Sequence, residues 1–568
     1  MHDKEDVSYN EFGIETQDDN GTHLDRTATV DVDNYSGIHA RTVLVYLSLN
    51  LILAGQLLNL VGSGALARDM AIAIGGSNNV IWLSTIIGIV TCVLGPPVSQ
   101  AADYWGRKWF LVVFTIFGFI GCMIVSRATS MNVAIAGQVV GGLSFGCQPL
   151  QFAVASEILP RRWRPEAQAG LNVVAGIAAI LGLLVGLKIT ATNPEGFRTY
   201  FYITAGCYGI AAIICALLYN PPLRPLQVSL SQREKLNQLD WVGYGLFASG
   251  TVVFIIALSW AQNPYLWSDV HVLAPLIIGG ALLLVFVLYE WKVRSDGMIH
   301  HDLFKKDRNF AIALFSLFVE GTVYFAANSF FVVEVSVLYE TNVFMAGVRF
   351  TITFITIAIA AALIALYCSA NRKLRVPTTL AFVSFVIFHI LMATATLSSG
   401  KAMWAYPVFL GIGLGVCLTT LVTAAQLSAP PALISISSGL LISVRSFGGS
   451  IGLAIYNSIL NSQLSSKLGP NIAAAVVPLG LSPTDLPTFI GALASNNPAL
   501  LMRIPGITPQ IIGAGVVALK TSYLESFRYV WVAAAAMSVV AVISASFLIN
   551  PTKDLNMHVD APLEKEVE

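Results

Sequence analysis

The chain is 568 residues long, formally uncharged at neutral pH, 55% hydrophobic and only 11% charged. A soluble domain devotes about a quarter of its residues to Asp, Glu, Lys and Arg, so this chain lacks the charge to coat a globule. With no basic excess it is also a poor partner for nucleic acid, which needs a clustered basic surface.

The first forty residues hold ten acidic and two basic side chains and no apolar core. They predict a disordered cytoplasmic tail over residues 1–40 and no cleaved signal peptide. Apolar runs follow, near the roughly 20 residues that cross the hydrocarbon layer. The first six lie at about 42–66, 79–99, 109–126, 132–155, 167–189 and 199–219. A polar stretch from Asn220 to Asp240 comes next. Eight more runs lie at about 241–260, 271–290, 309–331, 345–368, 376–397, 403–424, 433–457 and 527–549, for a total of fourteen. The seven cysteines all fall inside these runs, which suits small packing residues rather than disulfide partners.

An error of one span would exchange inner and outer loops, so loop charge tests the count. With the amino terminus cytoplasmic, the inner short loops collect sixteen Lys and Arg, among them Arg107, Lys108, Arg161, Arg162, Arg164, Lys305, Lys306 and Arg372. The outer short loops hold five: Arg68, Arg127, Lys188, Arg198 and Lys401. That bias places both termini in the cytoplasm. The long segment from Asn461 to Phe527 then faces outward, broken by Pro470, Pro483, Pro487, Pro505 and Pro509. It reads as an outer loop with short interfacial helices, a re-entrant pair being the alternative. The tail after Asn550 resembles the first forty residues in its polarity.

Marks recur between the halves. The loop after span two ends Gly106, Arg107, Lys108, and the loop after span ten carries Asn371, Arg372, Lys373. Span five holds Gly182 and Gly186, and span thirteen Gly448, Gly449 and Gly452. Both offsets are eight spans, which gives two six-helix bundles with spans seven and eight inserted between. The expected domains are 41–219 for the first bundle and 220–308 for cytoplasmic loops and the inserted pair. The second bundle spans 309–549, including the outer loop 461–526, and 550–568 forms the cytoplasmic tail.

The stretch Asp103 to Lys108 (DYWGRK) resembles the loop motif of the major facilitator superfamily, with Ser99, Ala101 and Tyr104 departing from it. Asp240 to Gly243 (DWVG), Arg445 to Gly452 (RSFGGSIG) and Ser522 to Tyr529 (SYLESFRY) look like the fourteen-span drug:proton antiporters. Ser156 to Arg164 (SEILPRRWR), with Gly196, Phe197, Arg198, Phe201 and Tyr202, is similar to the fungal branch of trichothecene efflux pumps and siderophore-iron transporters. The resemblance covers about residues 40–550. It implies an all-α membrane protein with the major facilitator fold in the plasma membrane. Two departures weaken antiport specifically: Gln138 stands where the superfamily often has a proton-linked Arg, and Leu183 follows Gly182 where the antiporter motif has Pro.

Asp103, Gly106, Arg107, Lys108 and Glu157 form the candidate cytoplasmic gate, in which Asp103, Arg107 and Glu157 are expected to latch the two halves together. Plain topogenic charge is the alternative for Arg107 and Lys108. A charge at bilayer depth costs about 2.5–3.5 kcal/mol on insertion scales, and Glu320 lies mid-span with Tyr324 and Asn328 on the same face at i+4 and i+8. Glu320 is the candidate for proton coupling; a carboxylate held structurally by a neighbouring helix is the other role open to it. Arg445 needs a carboxylate, a carbonyl or an anionic substrate as partner. Gln138, Gln148, Gln151 and Asn172, with Gln56 and Asn59, are neutral amides that suit an uncharged oxygen-rich ligand or glue helix to helix. Isolated His389 suits a packed neutral imidazole.

No phosphate-cradling Gly-x-x-x-x-Gly-Lys-Ser/Thr run occurs, so the driving energy comes from a gradient. The Gly411, Gly413, Gly415 cluster suits helix packing, and His300 with His301 lacks the neighbours of a metal site. No cofactor and no metal are expected. The sequence is thus read as a secondary transporter, not an enzyme, acting as a monomer in the lipid bilayer. Its partners are a small hydrophobic substrate and protons, exported as drug, mycotoxin or other secondary metabolite by antiport. A siderophore-iron importer of the same fold is the alternative, and a channel, which needs a continuous polar stripe, a more distant one.

Overall fold

The computed structural model describes residues 39–563 except 77–78, 81, 192, 224, 262–264 and 495–497. The expected tail over residues 1–40 therefore lies almost wholly outside the described residues. Among the described residues, fourteen helices are long and apolar enough to cross a membrane, as the runs of the sequence require. They are α1 (Ala40–Ala65), α2 (Trp82–Trp105), α3 (Arg107–Ser126), α4 (Met131–Glu157), α5 (Arg164–Thr190) and α6 (Phe197–Leu218). Next come α7 (Trp241–Trp260) and α8 (Val270–Lys292). The rest are α9 (Asn309–Leu338), α10 (Val343–Asn371), α11 (Arg375–Ala393), α12 (Tyr406–Ser428), α13 (Ile434–Val476) and α14 (Pro509–Ser546).

Packing sorts them into halves. In the first, α1 lies against α5 and α6, and α3 against α4 and α6; in the second, α9 packs on α13, and α11 on α12 and α14. The halves meet where α5 runs along α10 and α2 along α13. Small residues allow that approach: a Cβ on Gly176 would lie 2.9 Å from the Phe354 carbonyl, and one on Gly439 3.0 Å from that of Gly95. The inserted pair α7–α8 packs mainly on itself and keeps much of its apolar surface exposed, including Val242, Ile277 and Leu284. Asp240 caps α7 by accepting from the Gly243 amide at 3.0 Å.

Segment 461–526 holds short helices of the kind expected, Leu486–Ala494 and Pro498–Leu501, but the flanking spans extend far into it. Helix α13 runs for 43 residues, about 65 Å at 1.5 Å per residue, twice the hydrocarbon thickness of about 30 Å. Pro470 sits inside α13, and Pro509 occupies the first turn of α14, where its missing N–H costs nothing. The two extensions are tied by Asn471 to Ser522 (3.0 Å) and Lys467 to Glu525 (3.2 Å). They enclose their own small core with Ile472, Val476, Phe489 and Ile511. Burial of that core, invisible in a hydropathy count, outweighs the helix-breaking signal.

The tail after Asn550 is also seated, through residue 563, against the face that carries the basic loops, hereafter the basic face. Leu555 is fully buried and Leu563 joins the core of the first half. Polarity alone suggested disorder; complementary charge on the basic loops supplies the anchor.

Candidate functional site

Midway along α9, Glu320 meets Arg445 of α13. A seam of glycines brings the helices close enough: a Cβ on Gly321 would sit 2.0 Å from the Arg445 carbonyl, and one on Gly448 2.2 Å from that of Phe318. Across the seam the guanidinium binds both carboxylate oxygens, Nε to Oε2 at 2.5 Å and Nη2 to Oε1 at 2.9 Å. Glu320 is fully buried whereas the Arg445 side chain is 24% exposed, so the cation looks out and the anion is sheltered behind it. Tyr324 and Phe325 place their rings 5.3 and 5.7 Å from the guanidinium carbon, adding cation–π attraction. Tyr324 is partly buried and Asn328 exposed on the same helix face. Of the residues singled out in the sequence, Glu320, Tyr324 and Arg445 are thus assembled into one constellation, with Asn328 a turn beyond Tyr324.

The amides of the first half are placed differently. Gln138 is fully buried, and neither of its amide atoms has a hydrogen-bond partner among the described residues; Asn59 on α1 is the same. Gln56 donates to the Ser144 carbonyl at 2.7 Å, joining α1 to the 3-10 turn Leu143–Cys147 inside α4. Gln148 follows that turn and is partly exposed, while Gln151 makes only a long 3.9 Å contact to the Cys147 sulfur. Asn172 crosses between the halves to Thr419 at 3.3 Å, so it serves as helix glue here. An unsatisfied buried amide costs about 1–3 kcal/mol; Gln138 and Asn59 have both amide atoms to offer, and Gln56 and Gln151 their oxygens. Two cavities lie at the basic face, about 260 Å³ beside Tyr46 and Glu166 and about 140 Å³ beside Arg164 and Gln426. None of these amides lines either one.

At the basic face, α2 ends at Trp105 and α3 begins at Arg107, so the chain reverses on Gly106 alone. Its φ of +92° suits glycine, and a Cβ would lie 2.3 Å from Gln227 Nε2. The turn delivers Arg107 into the interior, 2% exposed, where it pairs with Asp103 at 3.0 Å and with Glu157. These three come together as the sequence suggested, but α2, α3 and α4 all belong to the first half, so the cluster does not itself join the halves. Lys108 stands apart, bonding Asn220 at 2.5 Å.

The bonds across the halves converge on a residue that the sequence did not mark, Gln426 of α12. Its Oε1 accepts from Ser156 at 2.5 Å and from Gln168 at 3.2 Å, and its carbonyl from Arg164 at 3.2 Å. A neutral amide near a helix end carries no sequence signal of this role. The C-terminal segment lies over the junction. Asp560 binds Arg161 at 2.6 Å and also Arg164, Asp554 binds Lys306 at 2.8 Å, and Asn550 caps the Leu374 and Arg375 amides at 2.9 Å. Backbone bonds from Arg161 to His558 (2.9 Å), Arg162 to Asn556 (2.6 Å) and Ala561 to Glu157 (3.0 Å) complete it. Burial raises the Asp560 pKa, but the Arg161 hydrogen bond and the Arg164 charge outweigh it and hold the carboxyl below its ordinary value. The basic face is therefore closed.

Two helical bundles tied together at one face, with a buried ion pair inside the second, define a polytopic membrane protein of the transporter kind. The Major Facilitator Superfamily model matches residues 47–453, more than half of the chain, and the chain belongs to that superfamily. It is 26% identical over 400 residues to the MFS-type transporter ucsD of an Acremonium species, covering 69% of this chain and 67% of that protein. To the MFS-type efflux transporter ffsH of Aspergillus flavipes it is 25% identical over 475 residues, covering 82% and 79%. Among solved structures, the MFS proton:xylose symporter XylE superposes with a TM-score of 0.52 at 12% identity, covering 91% of this chain and 97% of that one. That likeness concerns the fold.

Proposed function

We propose that this transporter exports a small hydrophobic secondary metabolite, toxin or drug in exchange for protons, with its basic face in the cytoplasm and the plasma membrane as its site. The observation that carries the reading is the Glu320–Arg445 pair. A buried carboxylate whose cation is partly exposed gives substrate and proton one group to compete for. Protonation of Glu320 weakens its hold on Arg445, freeing the guanidinium and the adjoining Tyr324 and Asn328 to change partners. Loss of the pair relaxes the α9–α13 seam, and α13 also lines the junction with α2 at the closed face. In this account the gate is Gln426 with its partners and the Asp560 strap, while Asp103, Arg107 and Glu157 stiffen the first half beneath it. The unpartnered amides Gln138 and Asn59 suit a ligand with a few oxygens in an otherwise apolar path. The efflux relative supports the direction, and the sixteen-to-five basic bias of the loops supports the orientation.

Cells with and without the gene, challenged with a panel of apolar toxins, test the direction. Lower intracellular accumulation of a labelled toxin is expected in cells that carry it. A growth gain confined to iron starvation with supplied siderophore would favour an importer instead.

A further inference from the structure

Fourteen residues beyond Glu320, and about 21 Å further along α9, stands a second carboxyl group, Glu334, four residues before the helix ends at Leu338. It is fully buried. Oε2 accepts the Trp531 indole N–H of α14 at 2.6 Å, and Oε1 has no hydrogen-bond partner among the described residues. Trp531 belongs to an aromatic cluster, edge-on to Phe388, which meets Phe331, while Phe330 meets Phe527.

None of the ionisable groups of the neighbouring helices forms an ion pair or hydrogen bond with it among the described residues. Lys520 and Arg528 of α14 donate to the carbonyls of Leu338 and Ala393, at 3.0 and 3.1 Å. His389 of α11 uses Nδ1 on the Phe385 carbonyl and Ser538, while its Nε2 makes no hydrogen bond among the described residues, to Glu334 or to any other group. Tyr339 at the end of α9 donates to Thr396, and Tyr456 of α13 lies in the same core. Among the described residues no cation pairs with Glu334, in contrast to Glu320. An ionised carboxylate left unpaired in an apolar core costs several kcal/mol, and binding a proton removes that cost.

We infer that Glu334 is a proton-binding site that gates the face opposite the basic loops. With the proton on, the outer part of α9 docks on α14, as it does here. When the O–H bond breaks and the proton passes to water, the carboxylate draws that part of α9 away from the aromatic cluster toward solvent. This goes beyond the exchange proposed above, from which it borrows only the orientation that makes this face the outer one.

Infrared spectroscopy of the full chain in lipid tests the site without any substrate. Wild type minus Glu334→Gln at neutral pH should contain the carbonyl band of a protonated carboxylic acid. Trp531→Phe should move that band to higher wavenumber, because its carbonyl loses a donor. A carboxylate band in the difference spectrum, or a band indifferent to Trp531→Phe, overturns the site. For the gate, the rate of transport against outer pH should lose a titration step in Glu334→Gln. A profile of unchanged shape overturns the gate. Failure of the wild type to couple to a proton gradient would defeat exchange and leave the infrared result standing.

Discussion

Arg445 holds Glu320 through two hydrogen bonds at 2.5 and 2.9 Å, with the anion fully buried and the cation partly exposed. Breaking such a pair by removing one partner costs about 3–5 kcal/mol, because the other charge is left unpaired. Arg445→Gln should therefore lower the melting temperature in detergent more than the double variant Glu320→Gln, Arg445→Gln does. A double-mutant cycle should give a coupling of about 1 kcal/mol or more. Additive losses would mean that the pair carries no interaction energy.

Closure of the basic face rests on Gln426. Replacing it with Leu removes the acceptor of the Ser156 hydroxyl and one of the acceptors of the Gln168 amide, at about 1 kcal/mol for each lost bond. Opening should become roughly five- to thirtyfold more frequent. A cysteine placed at the fully buried Ser435 on the first turn of α13 reports it, by its rate of alkylation from the basic face. An unchanged rate in Gln426→Leu would move the gate elsewhere.

The C-terminal strap should respond to acid. Asp560 is held below its ordinary value of 3.8 by Arg161 and Arg164. A carboxylate with a depressed folded value stabilises the folded form above its unfolded value, and that contribution is lost as pH falls through the folded value. Pepsin should spare the tail near about pH 5 and cut it when the pH falls below the ordinary carboxylate value of roughly 3.9. Asp560→Asn should be cut at both.

Gly106→Ala places a Cβ where φ is +92° and Gln227 stands 2.3 Å away. A cost of about 1–3 kcal/mol is expected, read as a lower melting temperature. Adding Gln227→Ala should recover only the part due to contact. Full recovery would show that backbone conformation is unimportant at this turn.

The fourteen spans were readable because hydrocarbon thickness dictates the length of an apolar run whatever its neighbours. Glu320 and Arg445 stood out because charge is rare at that depth, and their pairing follows from the glycines that let α9 and α13 touch. Glu334 is hidden in the sequence for a definite reason: the ninth apolar run ends near residue 331, so a carboxyl three residues later reads as loop, while the helix continues to Leu338. Gln426 is one neutral amide among many, and only the meeting of α4, α5 and α12 gives it meaning. The helical extensions of α13 and α14 and the seated tail depend on cores and ion pairs between segments distant in sequence, which local composition does not record.

The central claim, that protonation at Glu320 decides which face is open, is tested most directly by a distance across the basic face. Spin labels on cysteines replacing Leu223 and Lys373, both exposed and in opposite halves, with the partly exposed Cys207 removed, give that distance by pulsed electron resonance in lipid. Two populations are predicted, their ratio shifting with pH in wild type and fixed at every pH in Glu320→Gln. One distance at all pH values, or a shift that persists in Glu320→Gln, would contradict the account.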